Sequence, residues 1–522
     1  MKHRFVFFTL TALLALAAAW ATLDLTEPPG PGLDPDATAY LGAGISLATG
    51  HGLRVPTAIW FNPDTTAPLS HFPPGFPTLI AAGIRVGLIP TNAARFIEAA
   101  SAATTVAFVA FLLFEAGTTI GAFTAVALLA VTPAMVIMHA SVLSEPLFLA
   151  LFVCFVWQLS RHGENNWRRT LALGALAAAA TLVRYAGASL IIAAVLDAWL
   201  GDERTILGNL SERIRRAALA GALPVLTLAA WAFTRPHTPD GHIRRVAFYA
   251  DGLGSTFLDG AETFGRWLAP DIDSLAVRSL TAILMGGALM LLFVHAARVR
   301  RSAPSDAPCW YHTRVQQAIA ITSSCYALVL IASRVFADPM IPFDERLLAP
   351  LLVLGTLTIA FTLGTLWQSS EWRSAHRVML LGSVVTVTIW MFGASRVSAG
   401  WINDYRTDGG DLAGREWRQS PLADWAAHAG ASVRLYSNWP EAIWFNAGRA
   451  SYDLPINLLP ATVTEFREKI TREHGALVAF TWPATDLVPP DSLAKLAGLV
   501  PVARWPQGTV WRVAVDVATI HR

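Results

Sequence analysis

The sequence predicts a polytopic α-helical membrane protein with a small α/β domain at its C-terminal end. Three observations carry that prediction. Of 522 residues, 54% are hydrophobic and only 15% charged, and the mean hydropathy is +0.46, too apolar for a soluble protein of ordinary composition. Apolar runs approaching the ~20 residues that a membrane crossing needs recur from residue 5 to residue 396. Beyond residue 397 the chain turns to Trp, Pro and charged residues with short β-like stretches.

Taken in order, eleven runs read as spans, at about 5–23, 94–114, 118–138, 147–160, 170–184, 186–200, 217–235, 274–297, 315–333, 347–367 and 378–396. The first follows "MKHR" and is long for a signal-peptide core, so it reads as a retained span rather than a cleaved leader. The segments "MKHR", "SRHGENNWRR", "GDERTILGNLSERIRR", "HAARVRRSAPSDAPCWYHTR" and "WQSSEWRSAHR" are basic and fall at every second turn, as cytoplasmic loops do. That places the N-terminus inside, with the loop 24–93 and the region 397–522 outside. "GFPTLIAAGIRVGLIP", 75–90, holds Arg85 in its middle and reads as an interfacial helix rather than a span. The division is a transmembrane domain over 1–396, including the first loop, and an α/β domain over 397–522. In the latter, "SVRLYSN", "ALVAFTW" and "VWRVAVDVA" read as strands and "ATVTEFREKI" as a helix between them.

A net charge of +2 with arginines scattered between apolar segments excludes a nucleic-acid partner, which needs concentrated basic surface. Cys154, Cys309 and Cys325 have no metal-ligand spacing, and neither a disulfide nor a zinc site is expected.

Charge near hydrocarbon is costly and persists where it faces a cavity or a partner. The predicted topology gathers Asp34, Asp36 and His71 of the first loop, His139 and Glu145 of "IMHASVLSEPLFL", Arg184 of "ATLVRYAG", and Arg334, Asp344, Glu345 and Arg346 of "SRVFADPMIPFDERLLAP" on one face. Acids that activate a hydroxyl beside arginines that hold a phosphate suit transfer from a phosphate leaving group. Each residue also has a structural reading. Asp34 suits a turn or helix cap, and Glu145 with Pro146 suits a first helical turn. Arg184 suits a snorkelling span end, Arg346 a surface pair with Asp344 or Glu345, and His139 a packed histidine.

Four stretches, "DPDATAYLGAGISLATGHG", "HFPPGFP", "VLSEPLFL" and "FDERLLAPLL", give residues 5–396 a resemblance to the GT-C glycosyltransferases that use polyprenyl-phosphate sugars, such as protein O-mannosyltransferases and lipid A aminoarabinose transferases. The resemblance implies a GT-C fold and an inverting transfer to an acceptor hydroxyl. In those enzymes a first-loop acid stands four residues before an aromatic, which falls on Asp36 and Tyr40. The second acid falls on Glu145, and the basic or polar residue before the Pro-Pro pair on His71. Here the second acid is Glu where several relatives have Asp, and His71 stands where the aminoarabinose transferases have Lys.

The implied roles follow. Asp36 is the general base, with Asp34 and Glu145 as accompanying catalytic acids. Arg184, Arg346, His71 and Arg334 bind the donor phosphate, and Tyr40 contacts substrate. Some relatives hold a divalent cation, Mg or Mn, between such acids and others do not, and the metal question stays open. The implied partners are a polyprenyl-phosphate sugar, membrane lipids and a glycan, lipid or protein acceptor. The implied place is a bacterial inner membrane. The competing reading is a transporter or flippase of lipid-linked sugars, which commonly shows paired halves; no such internal symmetry is visible.

Overall fold

The computed structural model describes residues 2–161, 167–200, 210–234, 247–281, 309–368, 374–484 and 487–514, with positions 283 and 287. The chain divides into two compact units. The first comprises residues 1–25, 95–234 and 243–404, the second residues 26–94, 235–242 and 405–522.

The first unit is helical. Its elements are α1 (Lys2–Leu25), most of α4 (Pro90–Glu115), α5 (Thr119–Val131), α6 (Pro133–Ala140), α7 (Glu145–Ser160), α8 (Trp167–Val183), α9 (Ala188–Leu200), α10 (Leu210–Thr234) and α11 (Leu253–Leu268). After these come α12 (Cys309–Phe336), α13 (Glu345–Gln368) and most of α14 (Ser374–Thr407). Every apolar run named above folds as helix except 274–297, of which 275–281 is helical and most of the rest lies outside the described residues.

Only some of the eleven runs fold as helices long enough to cross a membrane by themselves. Among the described residues six helices are long and apolar enough to cross a membrane, or seven if α5 and α6, bent by 64° at their junction, form one broken span. The physical reason is length. α7 has 16 residues, and at ~1.5 Å per residue it falls short of the ~30 Å hydrocarbon layer unless flanking residues contribute.

The core of this unit is aliphatic and aromatic, with Val109, Leu112, Phe148, Phe152, Val353 and Phe361 buried together. Phe7 of α1 stacks on Phe114 of α4 at 3.8 Å between centroids. α5 and α13 approach through glycines. The Thr118 side chain caps α5 by accepting from Gly121 N at 3.0 Å, and a Cβ at Gly364 would run into the same hydroxyl.

The second unit is α/β. Its six-stranded sheet has the order β2 (Thr57–Ala58), β5 (Ser451–Tyr452), β4 (Leu435–Ser437), β6 (Ala476–Phe480), β8 (Gly508–Val513), β7 (Leu499–Trp505). The first four strands pair in parallel and the last two antiparallel. The parallel strands are joined by α15 (Pro440–Ala447) and α16 (Pro460–Arg472), as parallel crossovers require. Strand β2 comes from the first loop, so that loop pairs with the α/β unit by hydrogen bonding.

A buried polar network fixes the connection. Lys469 Nζ donates to Asn62 O at 2.9 Å and to Glu473 Oε1 at 2.6 Å, and lies 4.5 Å from the Tyr452 ring. Tyr452 donates its hydroxyl proton to Pro63 O at 3.0 Å. The first loop also supplies a two-stranded hairpin, β1 (Arg54–Val55) with β3 (Ala67–Pro68), and helices α2 (Pro35–Ala48) and α3 (Gly75–Arg85), which pack together. The segment read as an interfacial helix is α3, with Arg85 in its last turn donating to Leu47 O at 3.1 Å.

Replacing Gly364 with Leu forces side-chain atoms into the α5–α13 contact. Overpacking of this kind costs about 1–3 kcal/mol, so the thermal midpoint of the purified protein is expected to fall. A midpoint equal to wild type would show that the two helices do not meet at Gly364.

Candidate active site

α6 ends at Ala140 and α7 begins at Glu145. The turn between them is wholly buried, with Ser141, Val142, Leu143 and Ser144 each at most 3% exposed. Pro146 follows within the first helical turn, where its missing N–H costs no hydrogen bond. This turn delivers Glu145 into the interior at 1% exposure.

Two arginines meet it there. Arg184 Nη1 lies 2.8 Å from Glu145 Oε1, and Arg346 Nε lies 2.6 Å from the same oxygen. Arg184 Nη1 also donates to Ser144 Oγ at 3.1 Å, and the Ser144 hydroxyl is 3.4 Å from Glu145 Oε2. Unpaired burial of such a carboxylate would cost several kcal/mol. Two guanidinium groups on one carboxylate leave the trio with one net positive charge, and the Arg184 and Arg346 side chains keep 18% and 31% of their surface exposed.

Local sequence explains how each arginine arrives. Arg184 is an extended residue, φ −146° and ψ 138°, at the break between α8 and α9, followed by a 3-10 turn over Tyr185–Gly187. Gly187 packs so close to the end of α8 that a Cβ there would collide with the Thr181 backbone. Arg346 sits in the first turn of α13, which Asp344 begins by accepting from Leu347 N at 2.8 Å. The pairing of Arg346 with Asp344 or Glu345 that its sequence position suggested is replaced by the bond to Glu145. Asp344 serves the helix start, and Glu345 lies 3.0 Å from Arg266.

Arg334 stands apart from this group. It is 2% exposed; its Nε donates to Thr256 Oγ1 at 2.9 Å and its Nη2 to Asp251 O at 2.8 Å. It thus holds the start of α11, and among the described residues no hydrogen bond or ion pair joins it to Glu145, Arg184 or Arg346. His139 is buried, with Nδ1 2.8 Å from Met135 O.

The remaining sequence candidates lie in the α/β unit. Asp34 is the N-cap of α2, accepting from Ala37 N at 3.1 Å. Asp36 follows in the first turn and is half-buried. Tyr40 is 1% exposed and packs against Phe72 and Phe76 at 4.8 and 5.2 Å, so its ring is part of the α2–α3 core. His71 is exposed and lies edge-on to Phe72 at 4.7 Å.

The sequence reading passed over two acids near Asp36. Burial, together with the charges of Asp453 and then Asp36, pushes the Glu441 carboxyl up to about 8. Burial alone pushes Asp453 up to about 7. Glu441 looks from sequence like an ordinary first-turn acid after Pro440, and nothing in its spacing announces Asp453. Nor did spacing single out Glu98, an acid in the apolar middle of α4, although a carboxyl inside a span is a signal in itself.

Comparison with known proteins bears on these residues. The family described as dolichyl-phosphate-mannose-protein mannosyltransferase matches residues 71–231. The archaeal oligosaccharyltransferase AglB from Archaeoglobus fulgidus, solved with an inhibitory peptide and a dolichol-phosphate, superposes with a TM-score of 0.51 at 12% identity over 90% of this chain and 69% of that one. The chain shares the fold of this oligosaccharyltransferase. The mycobacterial arabinofuranosyltransferase AftD covers 97% of this chain at 15% identity and a TM-score of 0.49, and the chain spans 40% of its length. No curated protein matches the sequence. His71, Glu145 and Arg184 fall inside the family match; Asp36 and Arg346 fall outside it.

Among the described residues, no group of three His, Cys, Asp or Glu side chains is arranged to hold a metal ion. Glu145 is engaged by two arginines.

Glu441 and Asp453 hold their protons more tightly folded than unfolded. The stability this contributes is full below the ordinary carboxylate range and is lost as pH rises through 7 to 8. Amide hydrogen exchange over residues 435–513, corrected for the intrinsic pH dependence, is expected to show lower protection at pH 9 than at pH 6. Glu441→Gln should shrink that difference. Equal protection at both pH values would contradict the assignment.

Proposed function

We propose that the chain is a multi-pass membrane glycosyltransferase that moves a sugar from a polyprenyl-phosphate donor to an acceptor hydroxyl in a single inverting displacement. The observation that carries this is the Glu145–Arg184–Arg346 trio, a buried acid holding two arginines with a surplus positive charge. A phosphate leaving group gains negative charge as the glycosidic bond breaks, and fixed guanidinium donors stabilise that charge more than they stabilise the ground state. Glu145 keeps the two forks oriented, and Ser144 adds a hydroxyl to the same set. The family match over 71–231 supports sugar transfer over transport of lipid-linked sugars.

An acceptor hydroxyl is a weak nucleophile at neutral pH. Asp36 takes its proton as the new C–O bond forms, while Asp34 holds the start of the helix that carries Asp36. His71, exposed in the same unit, contributes a further donor to the phosphate. The topology that fits this reading is the eleven-span one, with the N-terminus inside and residues 24–93 and 397–522 outside, in a bacterial inner membrane.

Arg184→Ala and Arg346→Ala are each expected to weaken binding of a polyprenyl phosphate by a factor on the order of 10 or more, as loss of a charge-assisted bond implies. Arg184→Lys keeps the charge but not the fork and should fall between. A purely structural trio would instead lower the melting temperature with phosphate affinity unchanged, and that result would remove both arginines from the site.

Asp36→Asn keeps the shape and hydrogen bonding of the side chain but cannot accept a proton. Turnover is expected to drop about 10²-fold or more with donor affinity close to wild type, whereas Asp34→Asn, which preserves the cap, leaves turnover largely intact. An active Asp36→Asn protein would sink the assignment of the base.

A further inference from the structure

A turn of irregular backbone inside a helical bundle is unusual, because its amides have no helical partners and no water to bond. Residues 141–144 form such a turn, and Glu98 of α4 answers it. Glu98 is 1% exposed, and its Oε1 accepts from Leu143 N at 3.4 Å. Its Oε2 has no hydrogen-bond partner among the described residues. An apolar side chain of the same volume would fill the space with no desolvation cost, so packing alone does not account for an acid there. What the acid supplies is the acceptor for an amide two residues ahead of Glu145.

We propose that Glu98 is a positioning residue for the phosphate-binding trio: by accepting from the Leu143 amide it holds the buried turn that presents Ser144 and Glu145 to Arg184 and Arg346. The inference rests on the reading of the trio as a phosphate site. Without that bond the Leu143 amide turns toward another acceptor and carries Ser144 and Glu145 with it. The two contacts on Glu145 Oε1, at 2.8 and 2.6 Å, depend on that oxygen's place, and a shift of about 1 Å is enough to lower activity by as much as ~10².

The test uses the full-length protein with two substitutions. Glu98→Gln keeps a carbonyl acceptor for Leu143; Glu98→Met keeps the volume and removes the acceptor. Two quantities are measured for each: exchange of the Leu143 amide, and affinity for a polyprenyl phosphate, with Arg184→Ala alongside. Glu98→Met is expected to speed Leu143 exchange and weaken phosphate binding about tenfold, with the melting temperature little changed, while Glu98→Gln stays within about twofold of wild type on both. Leu143 exchange in Glu98→Met equal to wild type overturns the positioning role, as does an equal loss in Glu98→Gln and Glu98→Met. Faster exchange with unchanged phosphate affinity in Glu98→Met also overturns it. Unchanged affinity in Arg184→Ala overturns the phosphate reading instead, and amide exchange still decides whether Glu98 holds the turn.

Discussion

Glu145 is a carboxylate with 1% of its surface exposed, and a charge that deep persists only beside compensating charge. Much of the first unit meets that requirement. The chain leaves helical geometry between α6 and α7 to bring the acid inward. It leaves it again at Arg184, between α8 and α9, to bring a guanidinium alongside, and it starts α13 so that Arg346 reaches the same oxygen from a third direction. Each interruption exposes backbone groups that a continuous helix would satisfy. The structure supplies local replacements: Asp344 for the start of α13, Glu98 for Leu143, and the 3-10 turn after Arg184. A bundle built for stability alone would have no need of three such breaks around one acid.

The α/β unit meets a different constraint. Lys469 is 6% exposed, and its ammonium is satisfied by Asn62 O, Glu473 and the Tyr452 ring. Tyr436 completes the set by donating to Glu473 Oε2 at 2.6 Å. These contacts tie residues 62 and 63 of the first loop to the sheet, so that the loop bearing Asp36 is held by the same core as the C-terminal strands. Asp36 then lies in one electrostatic neighbourhood with Glu441 and Asp453, two acids that burial makes reluctant to ionise.

Periodicity and composition made the helices legible, because apolar runs in a chain with few charges have few other folds open to them. Strands β4, β6 and β8 were legible for a similar reason, as short β-branched and aromatic runs between turn residues. Strand β2 was not. It is two residues long, pairs with Ser451–Tyr452 nearly 400 positions away, and carries no pattern of its own. Of the candidate site, Glu145, Arg184 and Arg346 could be named from sequence, but their meeting on one oxygen could not, since three elements must be packed before those side chains converge. Arg334 shows the converse. It shares the span-end position of Arg346, yet the start of α11 takes its Nε and Nη2. Glu98 was visible as an acid in a span, but its partner is a backbone amide, and backbone amides leave no trace in a residue pattern.

The most direct test of the central claim is a structure of the full-length protein with a polyprenyl phosphate bound. The account predicts phosphate oxygens within about 3 Å of both the Arg184 and Arg346 guanidinium groups, with Glu145 still between them. A phosphate held elsewhere, with the trio intact and untouched, would contradict it.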